Sequence, residues 1–118
     1  TFVRYQNRKI MTGFRILLII FILGIFSYTS VTIYHFGLNL FAVFFGDMGA
    51  MTWAGQFNLD FLSFLLLAGL WVAWRNDFSA FGVIFGLLVC LGGMPLLASY
   101  LLYLSFQEKG NIHKILVP

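Results

Sequence analysis

The chain has 118 residues, of which 61% are hydrophobic and 9% charged, with a formal net charge of +3. A soluble domain carries about 45–50% apolar and about 25% charged residues, and a chain this short cannot enclose such an excess in a core of its own. The composition excludes a soluble enzyme, a disordered tail and a disulfide scaffold, and predicts an all-α integral membrane protein.

The basic residues gather at the start, in Arg4, Arg8, Lys9 and Arg15. Beside an apolar run such a cluster reads as a cytoplasmic flank held by anionic lipid rather than as a nucleic-acid patch. No Asp, Glu, Lys or Arg then occurs from Ile16 to Gly46. A first crossing is predicted over about 14–34. It is too long for a secretory signal core, so a retained helix is expected. Its first half is apolar all round. Its second half carries Ser27, Thr29, Ser30 and Thr32, whose hydroxyls can bond back to the preceding turn and suit a face turned to protein or the interface.

Between His35 and Gln56, Leu38, Phe41, Phe45 and Met48 recur at helical spacing. The stretch lacks Lys and Arg and is too short to span. It predicts one interfacial amphipathic helix over about 39–46, with a re-entrant turn as the alternative. Asn39 stands where a cap is expected.

A second crossing is predicted over about 58–74, with Asn58 or Asp60 capping its first turn. Trp71, Trp74 and Arg75 close it as an aromatic belt followed by a snorkelling cation, and Trp53 anchors the loop before it. Asp77 or Ser79 is expected to cap the next helix. The third crossing is predicted over about 80–106, kinked at Gly92-Gly93-Met94-Pro95 because proline removes a backbone bond. Tyr100, Tyr103 and Phe106 form its exit belt. Gly82, Gly86 and Cys90 lie four residues apart. Such small residues admit a close helix, either the second crossing through Ala68 and Gly69 or another subunit.

The resulting architecture is one domain over 1–118, with three transmembrane helices plus one interfacial helix. The excess of Lys and Arg in the first flank predicts a cytoplasmic N-terminus and, after three crossings, a C-terminus on the opposite side.

Chemistry-bearing residues are few. The two histidines, His35 and His113, and the single Cys90 have no metal-ligand spacing, so no metal is expected. No serine sits in a nucleophile elbow, and no catalytic residue is assigned. His35 is a candidate axial ligand, or an interfacial histidine bonded to a headgroup. Asp47, Asn58 and Asp60 are candidates for the polar lining of a cofactor site, since ionisable groups near a bilayer are functional candidates. Their structural alternative is capping. The fifteen Phe, five Tyr and three Trp give flat surfaces suited to a bound lipid, carotenoid, chlorophyll or quinone, and equally to helix packing.

The motif Gln56-Phe57-Asn58-Leu59-Asp60-Phe61 followed by Trp71-Val72-Ala73-Trp74-Arg75 resembles small uncharacterised bacterial multi-pass membrane proteins of domain-of-unknown-function type. The resemblance runs over roughly residues 38–104, through Gly82, Gly86, Leu91-Gly92-Gly93 and Tyr100-Leu101-Leu102. It implies a compact helical membrane protein and supplies no catalytic residue. The tail departs from the pattern at Lys109-Gly110-Asn111, where Gly followed by Asp is expected.

The expected function is a non-catalytic accessory or structural subunit of a larger membrane complex of respiratory or photosynthetic type, in contact with membrane lipids and other subunits. Gly82, Gly86 and the aromatic loop from Phe41 to Trp53 are the expected contacts. The alternatives are a small binder or carrier of a lipid, quinone or pigment, and a membrane enzyme on an isoprenoid or lipid that uses Asp60 as an acid.

Overall fold

A computed structural model describes residues 2–118, with side chains from residue 8 onward. The side chain of Arg4, in the basic cluster, lies outside the described residues. The chain is helical in six pieces: α1 (Phe2–Phe36), α2 (Leu40–Gly49), α3 (Trp53–Arg75), α4 (Ala80–Gly92), α5 (Met94–Gln107) and α6 (Ile112–Leu116). No strand occurs among the described residues.

Helix α1 runs through the charge-free stretch and stops at Gly37. That residue takes a φ of 79° and donates its amide to the Ile33 carbonyl at 2.8 Å. Glycine closes the helix here because it enters the left-handed region without steric cost. The hydroxyls of Ser30 and Thr32 donate to the carbonyls of Phe26 and Tyr28, each at 2.9 Å, as expected for such residues inside an apolar helix.

Helix α2 packs against the first turns of α3. The approach depends on Gly55, where any β-carbon would collide with the Asp47 carbonyl. Asn58 Nδ2 donates to the Phe44 carbonyl at 3.1 Å and holds the pair together. Helix α3 begins earlier than the sequence suggests. Its cap is Thr52, whose hydroxyl accepts from the Gly55 amide at 3.3 Å, so neither Asn58 nor Asp60 caps it. Asn39 holds the cap position of α2 without making a side-chain bond.

The largest departure concerns the expected single helix over 80–106. It is two helices that double back on each other. Ser79 caps α4, which runs antiparallel to α3: Gly82 lies by Ala73, Gly86 by Gly69, and Cys90 Sγ donates to the Leu65 carbonyl at 3.3 Å. Gly93 then adopts φ 74° and ψ −147°, a region essentially closed to residues with a β-carbon. The chain turns there beside Phe61. Pro95 opens α5 within its first turn, where a missing N–H costs nothing, rather than bending one long helix. Helix α5 returns the way α4 came. Tyr100 meets Phe85 at 5.2 Å between ring centres, and Asn76 Nδ2 donates to its hydroxyl at 2.8 Å. Glu108 ends 3.6 Å from Arg75.

Helix α1 packs antiparallel to α5, with Met11 against Gly110 and Arg15 against Ser105. Both termini of the described chain therefore lie at one end of the molecule, together with Arg75. The expectation of a C-terminus on the opposite membrane side counts 80–106 as one helix, whereas the chain turns back at Gly93. The core gathers at this basic end, where Met11, Val72, Val89, Tyr100, Leu104 and Ile115 form one buried cluster. The distal end has no comparable core: Tyr34, Leu38 and Met51 are each 85% or more exposed.

Helices α1 and α3 are long and apolar enough to cross a membrane. Core helices of soluble proteins share that property, but those are mostly buried. Only 6% of the most apolar stretch of α1, and 17% of that of α3, is buried within this chain. By contrast α4, with 13 residues, and α5, with 14, are each about 20 Å long, short of the roughly 30 Å hydrocarbon layer.

Candidate functional site: the basic end and the unpartnered face of α1

Two sets of residues meet at the basic end, and a third lies farther along α1. Arg75, at the last turn of α3, donates from Nε to the Ile115 carbonyl at 2.6 Å and from a terminal nitrogen to the Lys114 carbonyl at 2.7 Å. The same nitrogen stands 3.6 Å from Glu108. The Trp71 indole donates to the Leu116 carbonyl at 3.1 Å. Together these side chains satisfy the carbonyls of the short helix α6, which could not hold its shape alone. Arg75 is thus a clasp between three helices. Tyr100, expected in an exposed belt, is instead 5% exposed and belongs to the core. Tyr103 and Trp74 remain exposed, as does Trp53 at the distal end.

The second set joins the two ends of the chain. Arg15 Nε donates to the Ser105 hydroxyl at 3.0 Å, and a terminal nitrogen donates to the Ser105 carbonyl at 2.7 Å. The guanidinium carbon lies 4.0 Å from the centre of the Phe106 ring, within cation–π range. Ser105 is fully buried and donates its own hydroxyl proton to the Leu102 carbonyl at 2.7 Å. Beside this clasp a groove of about 1020 Å³ opens between the foot of α1 and the turn that joins α5 to α6. Arg8, Arg15, Lys109 and His113 line it.

The third feature is on α1 alone. Gly24, Ser27, Tyr28, Val31, Thr32 and His35 fall on one face and border a shallow groove of about 500 Å³. His35 packs edge-on against Tyr34, with ring centres 5.3 Å apart, and has no partner on another helix among the described residues.

The candidate polar lining is spread over three helices. Asn58 is committed to the Phe44 carbonyl, Asp60 is exposed on α3, Asp47 sits half-buried on α2, and His35 stands at the end of α1. Neither groove is lined by Asp47, Asn58 or Asp60. Among the described residues no group of three His, Cys, Asp or Glu could hold a metal ion. The small-residue line of α4 is used inside the chain, where Gly82, Gly86 and Cys90 pack on α3 and Gly82 and Gly86 are buried. Those two glycines are therefore unavailable to another subunit. The basic groove went unforeseen because its cations lie about 100 positions apart in the sequence. The lone usable signal was that Lys109 and Lys114 share the sign of the first flank.

The chain matches no known protein family, no curated protein and no solved structure.

Proposed function

We propose that the chain is a membrane-embedded, non-catalytic accessory subunit that docks to a partner helix along the distal half of α1. In this reading α1 and α3 cross the bilayer, and α4 and α5 form a hairpin that enters and leaves from the basic end. All seven Lys and Arg of the sequence then flank one membrane face: Arg4, Arg8, Lys9 and Arg15 before the first crossing, Arg75 after the second, and Lys109 and Lys114 after the hairpin. The connection from Gly37 to Thr52 has none. That asymmetry is what the positive-inside bias favours for two crossings, and it supports a cytoplasmic basic end.

The observation that carries the docking role is the α1 face with Gly24, Ser27, Thr32 and His35. Lipid-facing positions favour Leu, Ile and Phe, whereas small and hydroxyl residues line helix contacts in membranes. Here such a stripe runs past the end of α5 with no described helix against it. A leader peptide is the competing reading of an apolar helix near the start, but Met11 and Leu18 of α1 are buried, each 3% exposed, and Arg15 clasps Ser105. That packing supports a retained helix.

The test is gentle purification from native membranes followed by particle-mass measurement. The complex should exceed the mass of one chain plus detergent. Ser27→Leu combined with Gly24→Leu should release the chain without lowering its own thermal stability. A lone monomer in the wild-type preparation would sink the docking role. The carrier and enzyme readings draw no support from the two grooves, since Asp47, Asn58 and Asp60 line neither of them.

A further inference from the structure

We infer that the groove between α1 and the α5–α6 turn binds the phosphate headgroup of an anionic glycerophospholipid. Among the described residues three cations line it, Arg8 and Arg15 from one end of the chain and Lys109 from the other, with His113 as an additional nitrogen ligand. Among the described residues no carboxylate is in the lining. Of the four acidic residues, Glu108 is engaged by Arg75, Asp77 belongs to the α3–α4 turn, and Asp47 and Asp60 lie on α2 and α3. Folding therefore gathers like charges that repel unless an anion stands between them. Arg15 is held in advance: its two bonds to Ser105 use Nε and one terminal nitrogen, leaving the other terminal nitrogen for an acceptor. A guanidinium fixed in this way loses little freedom on meeting a phosphate, and such charge-assisted bonds are the strong ones.

A free phosphate offers the same chemistry, but the position of the groove favours a lipid. It lies where the charged start of α1 gives way to the apolar run. Ile16 and Ile20 on α1 are 53% and 58% exposed just beyond it, and Phe106 on α5 is 61% exposed. A headgroup in the groove would lay its acyl chains on that surface. The volume of about 1020 Å³ is ample for a glycerophosphate headgroup.

This inference rests on the chain's being embedded in a bilayer, which alkaline carbonate extraction tests separately. The full chain is then purified in a mild non-ionic detergent and stripped of lipid. Native mass spectrometry follows its titration with phosphatidylglycerol, with phosphatidylcholine and with inorganic phosphate. One phosphatidylglycerol should be retained at a concentration roughly tenfold below that needed for phosphatidylcholine. The double variant R8Q/K109Q should lose that preference. R8K/K109R should keep it, and so should K114Q, whose side chain is outside the groove. Equal retention of the two lipids overturns the site, as does a loss with K114Q as large as with R8Q/K109Q. Competition by inorganic phosphate at matched concentration overturns the lipid assignment. A chain that resists carbonate extraction yet shows no preference sinks the headgroup site alone. One released by carbonate sinks the membrane reading.

Discussion

The carbonyl oxygens of Gly69 and Gly86 each stand 2.6 Å from the point that a β-carbon on the other residue would occupy. The contact is reciprocal and involves backbone on both sides. Neither helix can yield without moving as a whole. It fixes the separation of α3 and α4, and with it the position of Phe85 and Gly93.

Gly86→Ala should therefore push α3 and α4 apart. The expected cost is about 1–3 kcal/mol, the usual scale of overpacking. Thermal unfolding in detergent, followed by helical circular dichroism, measures it. Gly13→Ala is the control. Nothing lies within 4 Å of that position, so removing a helix-interior glycine should be neutral or stabilise by about 0.5–1 kcal/mol. Equal losses for the two variants would mean that the contact is not what matters.

Gly93→Ala tests the reversal between α4 and α5. An alanine at φ 74° and ψ −147° is strained by about 1–3 kcal/mol wherever the turn persists. The nearest Phe61 and Leu65 atoms, at 3.5 and 3.8 Å from where the alanine methyl would sit, add only ordinary contact. The loss should thus be conformational, and Gly93→Asn should lose about as much, because the asparagine preference is for the αL region and not for this ψ. A stable Gly93→Ala protein would argue for a continuous helix.

Arg75→Gln should loosen the tail. It removes two charge-assisted bonds to the Ile115 and Lys114 carbonyls and the contact with Glu108. Hydrogen bonds to charged groups contribute about 1.5–3 kcal/mol each, and a total loss of about 3 kcal/mol is expected after partial replacement by the glutamine amide. Hydrogen exchange should accelerate first over residues 112–116. Unchanged protection there would show that Trp71 alone holds α6.

Topology provides the sharpest test of the two-crossing arrangement. Reporters fused before Thr1 and after Pro118 should be read from the same membrane face. A cysteine placed at Ala50, in a Cys90→Ser background, should be labelled only from the other. Opposite faces for the two termini would restore a third crossing and remove the common basic side.

Much of the helical framework was legible residue by residue. Ser79 caps α4 where a polar residue was expected, and the line Gly82, Gly86, Cys90 packs against α3 at Ala73, Gly69 and Leu65 as its spacing allowed. The start of α3 was misplaced because Asn58 and Asp60 are good caps locally, while the actual cap, Thr52, lies before an aromatic turn that resembles loop. Tyr100 was assigned to a belt because aromatics at a helix end commonly lie there; its burial depends on Phe85, Trp71 and Asn76, which come from other parts of the chain. The candidate lining of His35, Asp47, Asn58 and Asp60 is distributed over α1, α2 and α3, and the sequence does not show how those helices sit together. A list of polar residues near one membrane edge contains no information about which of them face each other.

Hydropathy and charge placement were sufficient to define an apolar helical chain and predicted three crossings, whereas the folded chain has two helices, α1 and α3, long and apolar enough to cross a bilayer. Hydropathy and charge are local quantities, summed over neighbours in sequence. Whether 80–106 runs straight or turns back was decided by the backbone at Gly93, and glycine permits both outcomes. Only packing chose between them, because the returning helix brings Tyr100 to Phe85 and Asn76, and Ser105 to Arg15. The basic groove exists for the same reason, since nothing short of the folded chain brings Arg8 and Lys109 to one surface.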